Sequence, residues 1–328
     1  MKNQANRKLI SNTVFLYLMT TSIQILNLLT VPYLSRVLGP TEYGQIGLAL
    51  GYMAYVQIIL DFGFTLYATK KISENKTDKC KIEYIITAVT FIKVILAVCL
   101  GVVFLLFLYI NVFDVTLMTI LQVYLLGYLI TALLPDFYYR GMENMKSIAL
   151  RTLIVRVLFT LLIFLCVRKK EDIMFVPVCF LVGSILAFII TAADIRWKKQ
   201  ITFRWPGRKY VMSMVRSAFP YFTSRFASTF YQALNVIIIG KIYGTAPEVG
   251  YYTSSDKCLS LVKMGSSPIA DSLYPYMLNH KNYRLIKRLL GFVMPIITVG
   301  VIIGEVARLQ HHMDRFGLWI QQKVSKGN

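Results

Sequence analysis

Runs of about 20 mainly apolar residues recur along this chain, and they restrict its possible folds more than any other feature. A helix of about 20 residues is long enough to cross the ~30 Å hydrocarbon core of a bilayer. The runs are apolar on most faces, whereas strands of a membrane barrel alternate apolar and polar residues. Only 16% of the residues are charged, against about 25% in soluble domains. The sequence therefore predicts an all-α polytopic membrane protein.

Nine membrane-spanning helices are predicted from these runs. They cover residues 9–34, 43–68, 84–110, 115–134, 148–167, 173–193, 219–242, 250–278 and 289–304. The eighth is the least apolar, and the ninth is short. The apolar segment at the N-terminus is too long for a cleaved signal peptide and no small-residue cleavage site follows it, so it is expected to remain as the first span.

The distribution of Lys and Arg tests this count and gives an orientation. One set of alternate loops, together with the N-terminal segment, carries 22 Lys and Arg residues, and the other set carries 5. Because Lys and Arg concentrate in cytoplasmic loops, the N-terminus is predicted to be cytoplasmic. The net charge of +20 is then explained by topology, and no nucleic-acid partner is predicted. Five cysteines without CxxC spacing and three histidines indicate no metal site and no cofactor.

Two turns on the predicted outer side are similar to each other. They read "VLGPTEYG" from residue 37 and "IYGTAPEVG" from residue 242. With one inserted residue, the alignment pairs Gly39 with Gly244, Glu42 with Glu248 and Gly44 with Gly250. Six spans separate the two turns, so they have the same orientation and predict a parallel repeat about an axis along the membrane normal. Gly/Pro turns between membrane helices are also common without any repeat.

Four segments, in this order, resemble the polysaccharide repeat-unit flippases of the O-antigen (Wzx) type, within the multidrug/oligosaccharidyl-lipid/polysaccharide exporter superfamily. The segments are "VPYLSRVLGPTEYGQIGLA", "ILDFGFTLYATKKIS", "DFYYRGMENMKSIALR" and "EVGYYTSSDK". The resemblance covers residues 1 to about 304. One departure is that a Trp-Phe-x-Gln-Gly pattern of the family is replaced here by residues 137–141, "FYYRG". No role of that Gln is therefore carried over.

The resemblance implies a non-enzymatic function: alternating-access transport of polyprenyl-pyrophosphate-linked oligosaccharides across the bacterial cytoplasmic (inner) membrane. Such transport serves the biosynthesis of O-antigen lipopolysaccharide, capsule or another surface polysaccharide. The implied partners are the lipid-linked oligosaccharide, the bilayer and the polysaccharide polymerase machinery. The resemblance implies that a full-length family member has at least twelve helices. The resemblance therefore implies a complete six-helix lobe (residues 1–200), a partial lobe of three helices (201–304) and an aberrant polar tail (305–328), as in a truncated or frame-shifted product.

Ionisable residues within the spans are the candidate site residues, because each costs about 2.5–3.5 kcal/mol at a helix centre unless it faces a cavity or a partner. The candidate cations for a pyrophosphate are Arg225, Lys257, Lys263 and Arg156, and the candidate cavity or ion-coupling carboxylates are Asp61 and Asp256. For Arg225 the alternative is snorkelling towards the cytoplasmic surface. For Asp61 it is an interfacial position near a helix end. The side chain of Lys93 is expected to snorkel towards the membrane surface. Arg151 is expected to belong to the excess of positive charge on the cytoplasmic side.

Three other functions compete with the flippase hypothesis. A drug or cation antiporter of the same superfamily would need acidic cavity residues, whereas Lys and Arg outnumber Asp and Glu within these spans. A membrane enzyme such as a polysaccharide polymerase would need a large outer loop, and the outer loops here are short. The third alternative is an inactive truncated fragment. The sign of the intramembrane charges favours an anionic substrate.

Overall fold

The computed structural model describes residues 21–110, apart from 24, 27 and 28, and then residues 114–243 and 247–264. Regular structure in these ranges is helical. The helices are α1 (residues 29–38), α2 (Pro40–Asp61), α3 (Phe64–Glu74), α4 (Lys79–Ile110), α5 (Val115–Ala132), α6 (Asp136–Gly141), α7 (Met145–Cys166), α8 (Phe175–Ala193), α9 (Arg208–Tyr243) and α10 (Pro247–Met264). A 3₁₀ turn at Lys170–Met174 precedes α8, and a π-helical turn at Asp194–Lys198 follows it. The predicted ninth span and the tail at 305–328 lie outside the described residues.

Five helical stretches among the described residues are long and apolar enough to cross a membrane. They are Pro40–Glu74, Lys79–Ile110, Val115–Gly141, Met145–Cys166 and Lys170–Lys198. Large apolar side chains are exposed on these helices, as expected of surfaces that face lipid. Examples are Val98, Val102, Val103, Leu105, Leu161, Leu165 and Ile189. The predicted class, an all-α polytopic membrane protein, is confirmed.

The chain divides into two compact units. The first ends at Ser254 and contains α1 to α9 and the first two turns of α10. The second starts at Ser255 and is described only as far as residue 264, where it is helical. The predicted six-helix lobe over 1–200 lies within the first unit, and the lobe boundaries stay predictions.

Two buried apolar clusters hold the first unit together. One packs side chains of α2, α5 and α8, including Met53, Leu121 and Val176. The other packs α3 and α4 around α6, whose Phe137 is fully buried. The segment after the fourth span, expected to be a cytoplasmic loop, is therefore a short buried helix that packs mainly against α3.

The predicted second span, 43–68, is interrupted near its C-terminal end. Helix α2 ends at Asp61, and the backbone takes left-handed conformations at Phe62 (φ 44°) and Gly63 (φ 74°) before α3 begins. Left-handed φ is accessible to glycine without strain, so the sequence "DFG" provides a suitable break. Breaks in membrane helices are tolerated where they lie against protein or line a cavity.

The irregular segment between α8 and α9, residues 199–207, is fastened to α4 by Glu83. This buried carboxylate accepts hydrogen bonds from the Thr202 amide (3.0 Å) and hydroxyl (2.9 Å), and it lies 3.1 Å from Nε of Arg204. Carboxylates that accept several charge-assisted or amide hydrogen bonds hold their partners firmly. The contact fixes where the chain enters α9, which carries part of the cavity described below.

Candidate functional site

A cavity of about 340 Å³ lies among α2, α3, α4, α5, α6 and α9. Its charged lining residues are Asp61, Lys93, Asp136, Arg140 and Arg225, and its other polar lining residues are Gln57, Thr65, Tyr128, Thr131 and Thr229. These groups belong to helices that are otherwise mainly apolar. Clustered ionisable groups inside a membrane protein mark a substrate or ion pathway, because isolated ones are too costly to keep.

Asp61 reaches the cavity because α2 ends there. Its carboxylate accepts hydrogen bonds from the backbone amide (3.3 Å) and the hydroxyl of Thr65 in the first turn of α3. The break itself is pressed against α9, since a Cβ on Gly63 would lie 2.6 Å from the amide nitrogen of Phe222. Asp61 therefore lies at a helix end and on the cavity wall, and its role stays a prediction.

Lys93 does not snorkel, contrary to the sequence-based expectation. It is only 5% exposed, and its Nζ lies 5.7 Å from the ring centroid of Phe137. Asp61 and Asp136 line the same cavity, but among the described residues neither forms an ion pair with Lys93. The cavity thus gives the ammonium group polar neighbours without a close counter-ion.

Arg225 and Arg140 complete the set of cations that the structure places at the cavity. Arg225 extends from α9 to the wall that also carries Asp61, so two of the predicted site residues are brought together. Arg140 belongs to α6 and lines the cavity, whereas Glu143, three residues further along the chain, pairs with Lys76.

Asp136 is held from behind the cavity wall by Arg151 of α7. The Arg151 guanidinium lies 2.6 Å from the Asp136 carboxylate and donates a second hydrogen bond to the Thr191 hydroxyl of α8 (2.8 Å). Arg151 is buried, and its predicted link to the membrane topology stays a prediction. It joins α6, α7 and α8 next to the cavity.

The remaining predicted cations and carboxylate lie elsewhere. Arg156 is half-buried on α7 with its guanidinium carbon 5.7 Å from the Phe159 ring centroid, and it is not among the residues lining the cavity. Asp256 is exposed on α10. Lys257 and Lys263 are in the helical backbone of α10, and their side chains lie outside the described part of the chain.

The two helices that follow the aligned turns touch near their starts, within the first unit. Each turn precedes a helix with proline at its first position, α2 at Pro40 and α10 at Pro247. A Cβ on Gly44 would lie 2.9 Å from the amide nitrogen of Gly250, so the paired glycines allow the helix starts to touch. Gly39, at φ 82°, makes the turn from α1 to α2.

The acidic residues of the two turns differ in their surroundings. Glu42 pairs with Lys170 (Oε1 to Nζ, 3.0 Å), whereas Glu248 is exposed in the first turn of α10. Gly244 lies outside the described residues. The geometry is compatible with the predicted repeat, and the repeat stays a prediction.

Sequence reasoning missed three of the five charged cavity residues: Lys93, Asp136 and Arg140. A signal for Lys93 was present, since a lysine in the run "TFIKVILAV" is an intramembrane ionisable group without a partner nearby in sequence. No local signal separates Asp136 and Arg140 from ordinary loop charges. Their role depends on the packing of α6 against α3 and α7.

The chain matches a family described as "Polysaccharide biosynthesis protein" over residues 9–280. It is 28% identical to a protein of Escherichia coli (strain K12) over 80% of this chain and 63% of that protein. It is 22% identical to a protein of Shigella dysenteriae over 89% of this chain and 73% of that one. Both relatives carry the description "Putative O-antigen transporter". The chain thus spans less than two thirds of the length of the Escherichia coli relative.

A solved structure described as the inward-facing conformation of a multidrug resistance MATE family transporter of the MOP superfamily has a similar fold. The TM-score is 0.62 at 16% sequence identity, over 87% of this chain and 68% of that chain. At this identity the likeness concerns the fold alone. The family resemblance seen in the sequence is confirmed by the match over residues 9–280, and the chain belongs to the polysaccharide biosynthesis protein family.

Proposed function

We propose that this protein is a flippase that moves polyprenyl-pyrophosphate-linked oligosaccharide repeat units across the bacterial cytoplasmic membrane for surface-polysaccharide biosynthesis. The observation that carries the proposal is the cavity, where Lys93, Arg140 and Arg225 converge among apolar helices. The names of the two relatives support an O-antigen or similar glycan as cargo.

The cavity offers the chemistry that such a headgroup requires. Arginine presents a planar fork that binds phosphate oxygens in pairs, and lysine acts as a compact positive charge. The hydroxyl oxygens of Thr65, Thr131 and Thr229 line the cavity and can accept hydrogen bonds from sugar hydroxyls. The polyprenyl tail need not enter the cavity, because the apolar outer faces of the helices allow it to stay in the bilayer.

The charge distribution supports an orientation for this transport. Arg140 and Asp136 belong to the segment that the Lys and Arg count assigns to the cytoplasmic side, and the touching turns at Gly44 and Gly250 belong to the outer side. A cavity near the cytoplasmic side would receive the substrate where it is synthesised. Alternating access would then require the outer contact to open, with the N-terminus remaining cytoplasmic and a polymerase taking over the released unit.

A cation antiporter of the same superfamily is the second candidate, and Asp61 and Asp136 are the observations that favour it. The balance of charge is against it, because Asp136 is paired with Arg151 and three cations share the wall with these two carboxylates. A cationic drug would lie next to those three positive groups, which costs energy in a low dielectric.

Inorganic pyrophosphate is expected to raise the melting temperature of the purified protein, whereas tetraphenylphosphonium is not. A ligand that binds only the folded state adds about 2.7 kcal/mol of stability at 100 times its dissociation constant. The measurement is thermal unfolding in detergent at matched ionic strength, with sulfate as the control anion. Protection by tetraphenylphosphonium without protection by pyrophosphate would establish the antiporter instead.

A further inference from the structure

We propose that Arg151, which does not itself line the cavity, sets the cavity's charge by neutralising Asp136 from behind the wall. The role of this charge in choosing an anionic substrate rests on the proposed function, whereas the charge itself does not. Arg151 is thus a positioning and specificity-determining residue. No contact with substrate is needed for this role.

The geometry of the pair is that of a fixed counter-ion. One guanidinium nitrogen lies 2.6 Å from Oδ1 of Asp136, and another donates to the Thr191 hydroxyl at 2.8 Å. The Thr191 hydroxyl donates in turn to the carbonyl of Ala187 at 2.7 Å. Arg151 is 7% exposed while the Asp136 side chain is 32% exposed, so the pair presents its acidic partner to the cavity and conceals its basic one.

The formal charge of the cavity depends on whether Arg151 is present. Among the described lining residues, three cations (Lys93, Arg140 and Arg225) face two carboxylates (Asp61 and Asp136), a formal charge of +1. Arg151 forms an ion pair with Asp136, so its charge is included in the sum, and the formal charge of the cavity becomes +2. Charges interact more strongly in such a setting than in water, because the surrounding dielectric constant is low.

Losing Arg151 would have a specific electrostatic consequence. The Asp136 carboxylate would remain at the wall without its counter-ion, next to the site proposed for a pyrophosphate. Removing one partner of a buried ion pair is costly because the other charge is left uncompensated, whereas removing both can be nearly neutral. This difference separates a charge-setting role from a purely structural one.

The test measures the sign of the potential inside the cavity. Gln57, an exposed residue of α2 on the cavity wall, is replaced by cysteine in the full chain, with its five native cysteines replaced by serine or alanine. The reporter thiol reacts in membranes with two methanethiosulfonates of similar size, one anionic and one cationic. The ratio of the two rates reports the local charge without using any transport substrate.

Arg151→Met is expected to lower the ratio of anionic to cationic rates about tenfold, the size expected when a unit charge acts with opposite sign on the two reagents. The double variant Arg151→Met/Asp136→Asn restores the formal charge to +2 and is expected to restore the ratio. Arg196→Met, which removes an exposed arginine of the turn after α8, is the matched control and is expected to change nothing.

An unchanged ratio of anionic to cationic rates in Arg151→Met would overturn the proposal. A double variant whose ratio falls as far as that of Arg151→Met would also overturn it, because a purely structural role of Arg151 predicts the same fall in both variants. If Arg151→Met does not fold, Asp136→Asn alone serves, since the amide oxygen that this substitution introduces can still accept from Arg151 and the ratio should rise. An unchanged ratio of the two rates in Asp136→Asn would also contradict the proposal. Failure of pyrophosphate to stabilise the unmodified protein would remove the proposed function and leave this result standing.

Discussion

Replacing Lys93 with Met is expected to reduce glycan export strongly and at the same time to raise the melting temperature of the protein. Lys93 is 5% exposed, and among the described residues no carboxylate forms an ion pair with it. A buried charge that lacks a close counter-ion is destabilising, and an apolar side chain of similar length is often neutral or stabilising at such a site. Under the proposed function, the substrate phosphate supplies the counter-ion that Lys93 otherwise lacks.

Export should fall at least about tenfold in Lys93→Met, because a charge-assisted hydrogen bond contributes about 1.5–3 kcal/mol. The measurement is surface glycan in cells whose export depends on this protein, together with its membrane abundance. Lys198→Met is the matched control, since the Lys198 side chain is 81% exposed. Normal export in Lys93→Met would exclude Lys93 from the substrate site, and a lowered melting temperature would show that it is structural.

Arg225→Gln is expected to reduce export in the same way. Its residual activity measures how far the remaining cations of the cavity replace it. If both variants export normally, the anion site is not in this cavity. The predicted cations Lys257 and Lys263 would then be the next to test.

The positions of the apolar helices in the described part of the chain were predictable from the sequence, because membrane helices are defined by runs of apolar residues rather than by distant contacts. Asp61 and Arg225 were found for the same reason, since a charge in an apolar run is conspicuous. The rotation of α4 about its axis was not predictable. That helix is apolar on nearly all faces, so the pattern does not show that Lys93 faces inward.

The pair formed by Arg151 and Asp136 illustrates a second limit. Fifteen residues separate the two in sequence, and they meet because α6 packs against α7. Likewise, aligning Gly44 with Gly250 predicted that the two positions are equivalent and not that they touch. In both cases the contact depends on packing between helices, which local patterns do not encode.

Replacing Gly250 with Ala is expected to lower both the melting temperature and export. A Cβ at this position would lie 1.9 Å from the carbonyl oxygen of Pro40, and a backbone atom cannot rotate away as a side chain can. Helix α10 would have to move off α2, which would also loosen the contact between Gly47 and Thr253. Overpacking of this kind costs about 1–3 kcal/mol.

Gly101→Ala on α4 is the matched control, because its Cβ would lie at an ordinary 3.7 Å from a methyl carbon of Leu129. Its melting temperature should be unchanged or slightly higher, since alanine reduces the freedom of the unfolded chain by about 0.4–1 kcal/mol. If Gly250→Ala is as stable as Gly101→Ala, then α2 and α10 do not touch at their starts. The starts of α2 and α10 approach so closely that glycine is required at Gly44 and Gly250. This close approach is a physical reason for the sequence similarity of the two turns.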